Sequence, residues 1–170
     1  MTFVPIKTSN VAGGFYSGVG AVSLSAGTVI KPQTEQLFGK TKSYTYNSTT
    51  GVFTLNSSKT YVIEADVMTT WSASTPAFYI TYGFFDGSST EIADSSRGSV
   101  RGYKPSTYYA TYTVISDETA LAVIDGASVS SFTWQIIATQ SNKANSFTAD
   151  SGTGASKFSA SRCRLYIREY

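Results

Sequence analysis

The run Tyr61-Val62-Ile63-Glu64-Ala65-Asp66-Val67-Met68 decides the fold class. In an extended chain Tyr61, Ile63, Ala65 and Val67 point to one side, and Val62, Glu64, Asp66 and Met68 to the other. That period of two gathers both carboxylates on one face and leaves an apolar face opposite, so the stretch as far as Trp71 is predicted as strand. Runs of the same kind recur at 19–24, 42–46, 51–56, 77–85, 107–115, 121–124, 131–139 and 161–167, all rich in Tyr, Phe, Val, Ile and Thr. Turn clusters separate them: Asn47-Ser48-Thr49-Thr50-Gly51, Asn56-Ser57-Ser58, Asp86-Gly87-Ser88-Ser89, Asp125-Gly126 and Asp150-Ser151-Gly152. No helical period persists for three turns without Gly or clustered β-branched residues. About nine strands in 170 residues predict an all-β chain, one antiparallel β-sandwich, most simply a jelly roll of about 8–10 strands.

Composition points the same way. The chain has 26 serines and 23 threonines, and only 14% of its residues are charged, so small hydroxyls keep the surface polar. Such residues suit strand faces and turns better than helices. The first 18 residues read as a flexible N-terminal arm, with Gly13-Gly14 and Gly18 in loop-like company, and residues 19–170 as a single domain. There is no internal repeat and no heptad pattern.

The absences exclude several chemistries. Without histidine there is no Ser-His-Asp or Cys-His relay, no imidazole metal ligand and no imidazole pH switch. Cys163 stands alone, so neither an internal disulfide nor a thiolate zinc site can form. A net charge of +2 is too small for a chain whose main partner is a phosphate backbone. Met1 to Ser9 lack the features of a secretory signal, and no apolar run is long enough to span a bilayer. Secretion by the usual signal and contact with membrane or nucleic acid are therefore not expected.

Two segments carry a family resemblance. Tyr44-Thr45-Tyr46-Asn47-Ser48-Thr49-Thr50-Gly51-Val52-Phe53-Thr54, followed by the strand start Lys59-Thr60-Tyr61-Val62-Ile63, resembles the complement globular-head branch of the tumour-necrosis-factor-like jelly rolls. Ser156-Lys157-Phe158-Ser159, leading to Leu165-Tyr166-Ile167, is similar to that family's closing segment. Ala160 and Lys59 stand where the family usually has Gly, and no collagen-like repeat precedes the domain. The resemblance implies a homotrimer of jelly rolls with the last strand in the inner sheet, near the strand that begins at Tyr61.

On that last strand Arg162, Arg164, Tyr166 and Arg168 share one face, and Cys163, Leu165 and Ile167 the other. If the two strands are neighbours, Glu64 and Asp66 face the same side as Arg162 and Arg164. Ion pairs within the sheet or between subunits then fix register and orientation, so Glu64, Asp66, Arg162, Arg164, Tyr166 and Arg168 are the candidate subunit interface.

Other patterns support no chemistry. Gly39-Lys40-Thr41 ends like a phosphate loop, but Thr34 replaces the required glycine and no helix follows. Glu64 and Asp66 have the spacing of an acid/base pair without the companions such a pair needs. Glu91, Asp94, Asp117, Glu118, Asp125 and Asp150 sit at turns without a calcium-loop array and read as turn caps. Asn47-Ser48-Thr49 and Asn56-Ser57-Ser58 match glycosylation acceptors and read as turns. Arg97, Arg101 and Lys104 lie among Tyr103, Tyr108 and Tyr109, which at this net charge reads as an interface or a tyrosine-rich surface. Trp134, alternating with Phe132 and Ile136, reads as core.

No catalytic or cofactor constellation emerges. The sequence-level expectation is a non-enzymatic virion structural protein: a phage decoration, cement or spike component, assembled in the host cytoplasm. Its expected partners are itself, as a homotrimer, and other virion proteins, the major capsid protein among them, reached through the arm. The alternative is a receptor- or carbohydrate-binding fibre head, with Trp71, Tyr103, Tyr108 and Tyr109 stacking on a surface glycan. A jelly-roll esterase or lyase is a third class, and it would need a carboxylate-and-Tyr mechanism.

Overall fold

A computed structural model describes residues 12–19, 26–39, 42–67, 69–72, 77–93, 95–103, 111–114, 118–142, 147–149, 157–158 and 163–170. These form fourteen strands and no helix: β1 Ala12–Val19, β2 Pro32–Phe38, β3 Thr45–Asn47, β4 Val52–Thr54, β5 Thr60–Asp66, β6 Thr69–Ser72, β7 Ala77–Asp86, β8 Gly98–Tyr103, β9 Thr111–Val114, β10 Ala120–Asp125, β11 Ser131–Asn142, β12 Phe147–Ala149, β13 Lys157–Phe158 and β14 Arg164–Glu169. The chain is an antiparallel β-sandwich. One sheet runs β10-β5-β14-β1-β2; the facing one runs β3-β4-β11-β7-β8, with β12 on the far end of β11. A small third sheet, β13-β6-β9, repeats the order β14-β5-β10 with their chain neighbours. The expected continuous strand from Tyr61 to Trp71 is thus two strands, which exchange one pair of partners for another after Val67.

Alternation builds the core as expected. Tyr61, Ile63, Ala65 and Val67 are buried, and Val62, Glu64 and Asp66 are only half-buried. Leu165 and Ile167 face inward beside them, and Phe53, Phe84, Phe132 and Trp134 come from the opposite sheet. Phe53 and Phe132 stack with centroids 4.7 Å apart, and Tyr16 meets Phe53 edge-on at 4.9 Å. Offset and edge-on pairs of this kind add about 0.5–1.5 kcal/mol each beyond area burial. The polar turns behave as capping chemistry predicts: Asn47 Oδ1 accepts from the N–H groups of Thr49 (2.9 Å) and Thr50 (3.1 Å), and Gly51 supplies a φ of 79°.

The N-terminal boundary is a correction. Residues 12–18, expected in the arm, lie in β1, between β14 and β2 in the middle of the sheet. Residues 1–11 lie outside the described residues. The glycines that suggested a loop are demanded by close approach. A Cβ on Gly13 would collide with the Ile167 carbonyl and the Phe38 ring, and one on Gly14 with the Tyr44 hydroxyl.

The two long sides of the sandwich differ. At one side β10 is tied to the facing sheet by bridges from Leu121 to Ser96 and from Glu118 to Ser99. At the other side, residues 28–30, which lead into β2, bond by backbone to β11, and side chains link β2 and its entry to β3 and the turn after it: the Tyr46 hydroxyl donates to the Pro32 carbonyl at 2.7 Å, and Lys31 to the Thr49 carbonyl at 2.8 Å.

Candidate functional site

The outer face of the five-stranded sheet carries the described part of the candidate interface. β14 and β5 are antiparallel neighbours, in a register that sets Arg164 opposite Asp66, Tyr166 opposite Glu64 and Arg168 opposite Val62. Alternation turns these residues away from the core. Arg164 donates to Asp66 at 3.2 Å, and Arg168 reaches diagonally to Glu64 at 2.8 Å. Thr119 adds a hydroxyl to Asp66 at 2.8 Å. Both carboxylates therefore find arginines in their own chain. Glu64 is served by Arg168, because antiparallel register displaces Arg164 to Asp66. Arg162 lies outside the described residues. Half-exposed pairs of this sort contribute about 0–1 kcal/mol each.

Beside the paired charges the face carries exposed apolar groups. The Phe15 and Tyr166 rings pack with centroids 4.8 Å apart. At the far side of the sheet Leu121 and Val123 are 42% and 56% exposed, next to half-buried Val62. β10 is thus apolar on both faces, with Ala120, Ala122 and Ile124 inward and Leu121 and Val123 outward. Leu121, Val123 and Phe15 are missing from the sequence-level site. The signal that could have found the first two is that unbroken apolar run from Ala120 to Ile124, the pattern of a strand covered on both sides.

A second polar cluster closes the open side of the sandwich, and no sequence motif announced it. The Tyr16 hydroxyl donates to Glu35 and lies 3.2 Å from the Tyr44 hydroxyl. Lys42 forms an ion pair with Glu35, its Nζ 5.2 Å from the centre of the Tyr44 ring. Beside it Ser43 donates through N–H and hydroxyl, each at 2.8 Å, to buried Glu169, and its hydroxyl also bonds that of Tyr61. Burial, reinforced by the hydrogen bond to Glu35, pushes the Tyr16 hydroxyl far above the ordinary tyrosine range; burial does the same to Tyr44. Tyr46 is pushed up to about 12 by burial and the Glu35 charge. Burial also opposes ionisation of Glu35, but hydrogen bonds from Lys42 and Tyr16 outweigh it and hold the carboxyl below its usual range. With neutral tyrosines and an ion-paired carboxylate, the cluster is suited to pinning residues 42–44 against the sheet edge.

The remaining candidates resolve as follows. Arg97 is held by Glu91 in a two-pronged pair at 2.7 and 2.6 Å. Trp134 is core, its indole N–H without a hydrogen-bond partner among the described residues. Asp86 and Asp125 cap their own turns. Trp71 belongs to β6 and Tyr103 to β8, but their side chains, with Tyr108 and Tyr109 entirely, lie outside the described residues. Among the described residues no three His, Cys, Asp or Glu gather to hold a metal, and no helix is long and apolar enough to cross a membrane. No protein-family model matches the chain, and no curated protein is detectably similar to it in sequence.

Proposed function

We propose that the chain is a non-enzymatic structural protein that assembles as a homotrimer of jelly rolls through the outer face of its five-stranded sheet, as a decoration, cement or spike component of a virion. The observation that carries the reading is that face itself. Glu64, Asp66, Arg164 and Arg168 are already paired within the chain and Asp125 is engaged by its own turn, while aliphatic side chains beside them stand in water. Such a surface loses little on desolvation and gains from contact. The bare aliphatics lie on β10 and the aromatic pair on β14 and β1, toward the other side of the sheet. Unlike halves favour a head-to-tail contact that closes into a ring. The jelly-roll reading is supported by the strand order, in which β2 to β3, β4 to β5, β10 to β11 and β11 to β14 each lead from one large sheet to the other, and by β14 lying beside β5 as the family resemblance implies. The virion setting rests on analogy with the jelly rolls that recur in capsids.

Solution mass tests the assembly. A species of about 55 kDa, three times the 18.2 kDa chain, is expected, and it should survive removal of residues 1–11. A clean monomer at all concentrations refutes it. The virion setting is tested by mass spectrometry of purified particles, where this chain should be recovered in stoichiometric amount.

A further inference from the structure

The five-stranded sheet ends in β2, and β2 differs from the edges at β10, β8 and β3. β10 is bridged to Ser96, and β8 to Glu118. β3 is three residues long and is ended by the capped turn at Asn47. β2 runs for seven residues, all of Gln33 to Leu37 exposed, and pairs with β1 continuously from Thr34 to Phe38, in a register that skips Gln33 and resumes at Pro32. Among the described residues, 33–38 make no backbone hydrogen bond except to β1. Long edges are normally guarded by Lys, Pro, a bulge or a covering segment. Here the proline sits at the first position, with its carbonyl taken by Tyr46, and the single charge, Glu35, is turned back to Tyr16 and neutralised by Lys42.

We propose that the free edge of β2 is a separate assembly surface that takes the β2 strand of a second copy, antiparallel, about a two-fold axis at Glu35. Charge selects this occupant. An acidic or basic foreign strand finds no complement on β2, whereas each copy brings its own Lys42 to the centre, so the two Glu35 side chains meet already paired. Glu35 is the midpoint of the exposed stretch, so this axis gives the longest overlap. It sets Thr34 across from the partner's Gln36 on the outer side, and Gln33 across from the partner's Leu37 at the inner rim. The contact is one strand wide, far below a standard interface, so it is weak and depends on concentration. It does not rest on the trimer: a monomer becomes a dimer, and a trimer, which carries three such edges, becomes a hexamer when all three pair with one second trimer.

The test is sedimentation velocity of the full chain up to its solubility limit, with amide hydrogen exchange on 33–37. The mass doubles, monomer to dimer or trimer to hexamer, and those amides gain protection. Gln33→Lys/Leu37→Lys, both on exposed side chains, places lysines opposite each other and abolishes doubling. Gln33→Lys/Leu37→Glu places Lys opposite Glu and restores it. Absence of doubling in the parent chain, or doubling indifferent to these variants, overturns the proposal. So does protection that appears only when an uncharged extended peptide is added, because the edge then serves a different chain.

Discussion

Replacing Leu121 and Val123 together by serine isolates the contribution of the bare end of the sheet face. Their exposed fractions, 42% and 56%, amount to about one whole aliphatic side chain left in water. Burying one such side chain is worth about 1.5–3 kcal/mol. In a head-to-tail ring each contact contains one copy of this patch, so each of the three contacts should lose about 2 kcal/mol, roughly a 30-fold weakening per contact. The other half of each side chain packs within the chain, so folding stability should fall by about 1.5–3 kcal/mol on the same scale, and the comparison is made where the variant remains folded. Light scattering across a dilution series reads the first quantity, and urea unfolding followed by fluorescence reads the second. An unchanged dissociation curve with the fold intact would refute the assignment of this face to the subunit contact. A variant that unfolds outright would instead show that the two side chains do more structural work than their exposure implies.

Other consequences concern charge and the polar rim. Because Arg164 and Arg168 are satisfied by Asp66 and Glu64 of the same chain, raising NaCl should change the assembly constant no more than a few-fold; a steep salt dependence would mean that the pairs form between subunits. Tyr16→Phe removes a buried hydroxyl bonded to Glu35, and should cost about 1.5–3 kcal/mol in urea unfolding, the value of a hydrogen bond to a charged group. Glu35 is held below its ordinary pKa in the folded chain. The stability it confers is therefore full above the usual carboxylate range and is lost as pH falls through the depressed folded value. Glu35→Gln should flatten that part of the stability-against-pH curve, and Lys42→Met should move the carboxyl back up, which NMR titration of the side chain can follow.

Particular elements show how far the sequence could be read. β5 was legible because burial on one face only stamps a period of two on Tyr61 to Val67, and the carboxylates on its other face marked the side that carries the arginines of β14. β1 and β8 were not legible, for a common reason. Gly13 and Gly14 in β1, and Gly98 in β8 under the Tyr82 ring, are there so that a neighbour can come close, and a glycine that makes room looks the same in sequence as one that makes a turn. β2 escaped because Gln33 to Leu37 are exposed on both faces. An edge strand held by backbone pairing and a few polar side-chain bonds carries no hydrophobic period.

The sequence by itself determined the all-β class, the inward set of aromatic and aliphatic residues, the capping turns, and the absence of histidine and disulfide chemistry, because each follows from local conformation or from composition. Only the tertiary structure decided that Arg168 rather than Arg164 serves Glu64, that Tyr16, Glu35, Lys42 and Tyr44 meet at the open side, and that residues 12–18 are the middle of a sheet. Those facts depend on register and strand order, which are set by the joint packing of segments up to about 150 residues apart, such as β1 and β14, and no single segment carries that information.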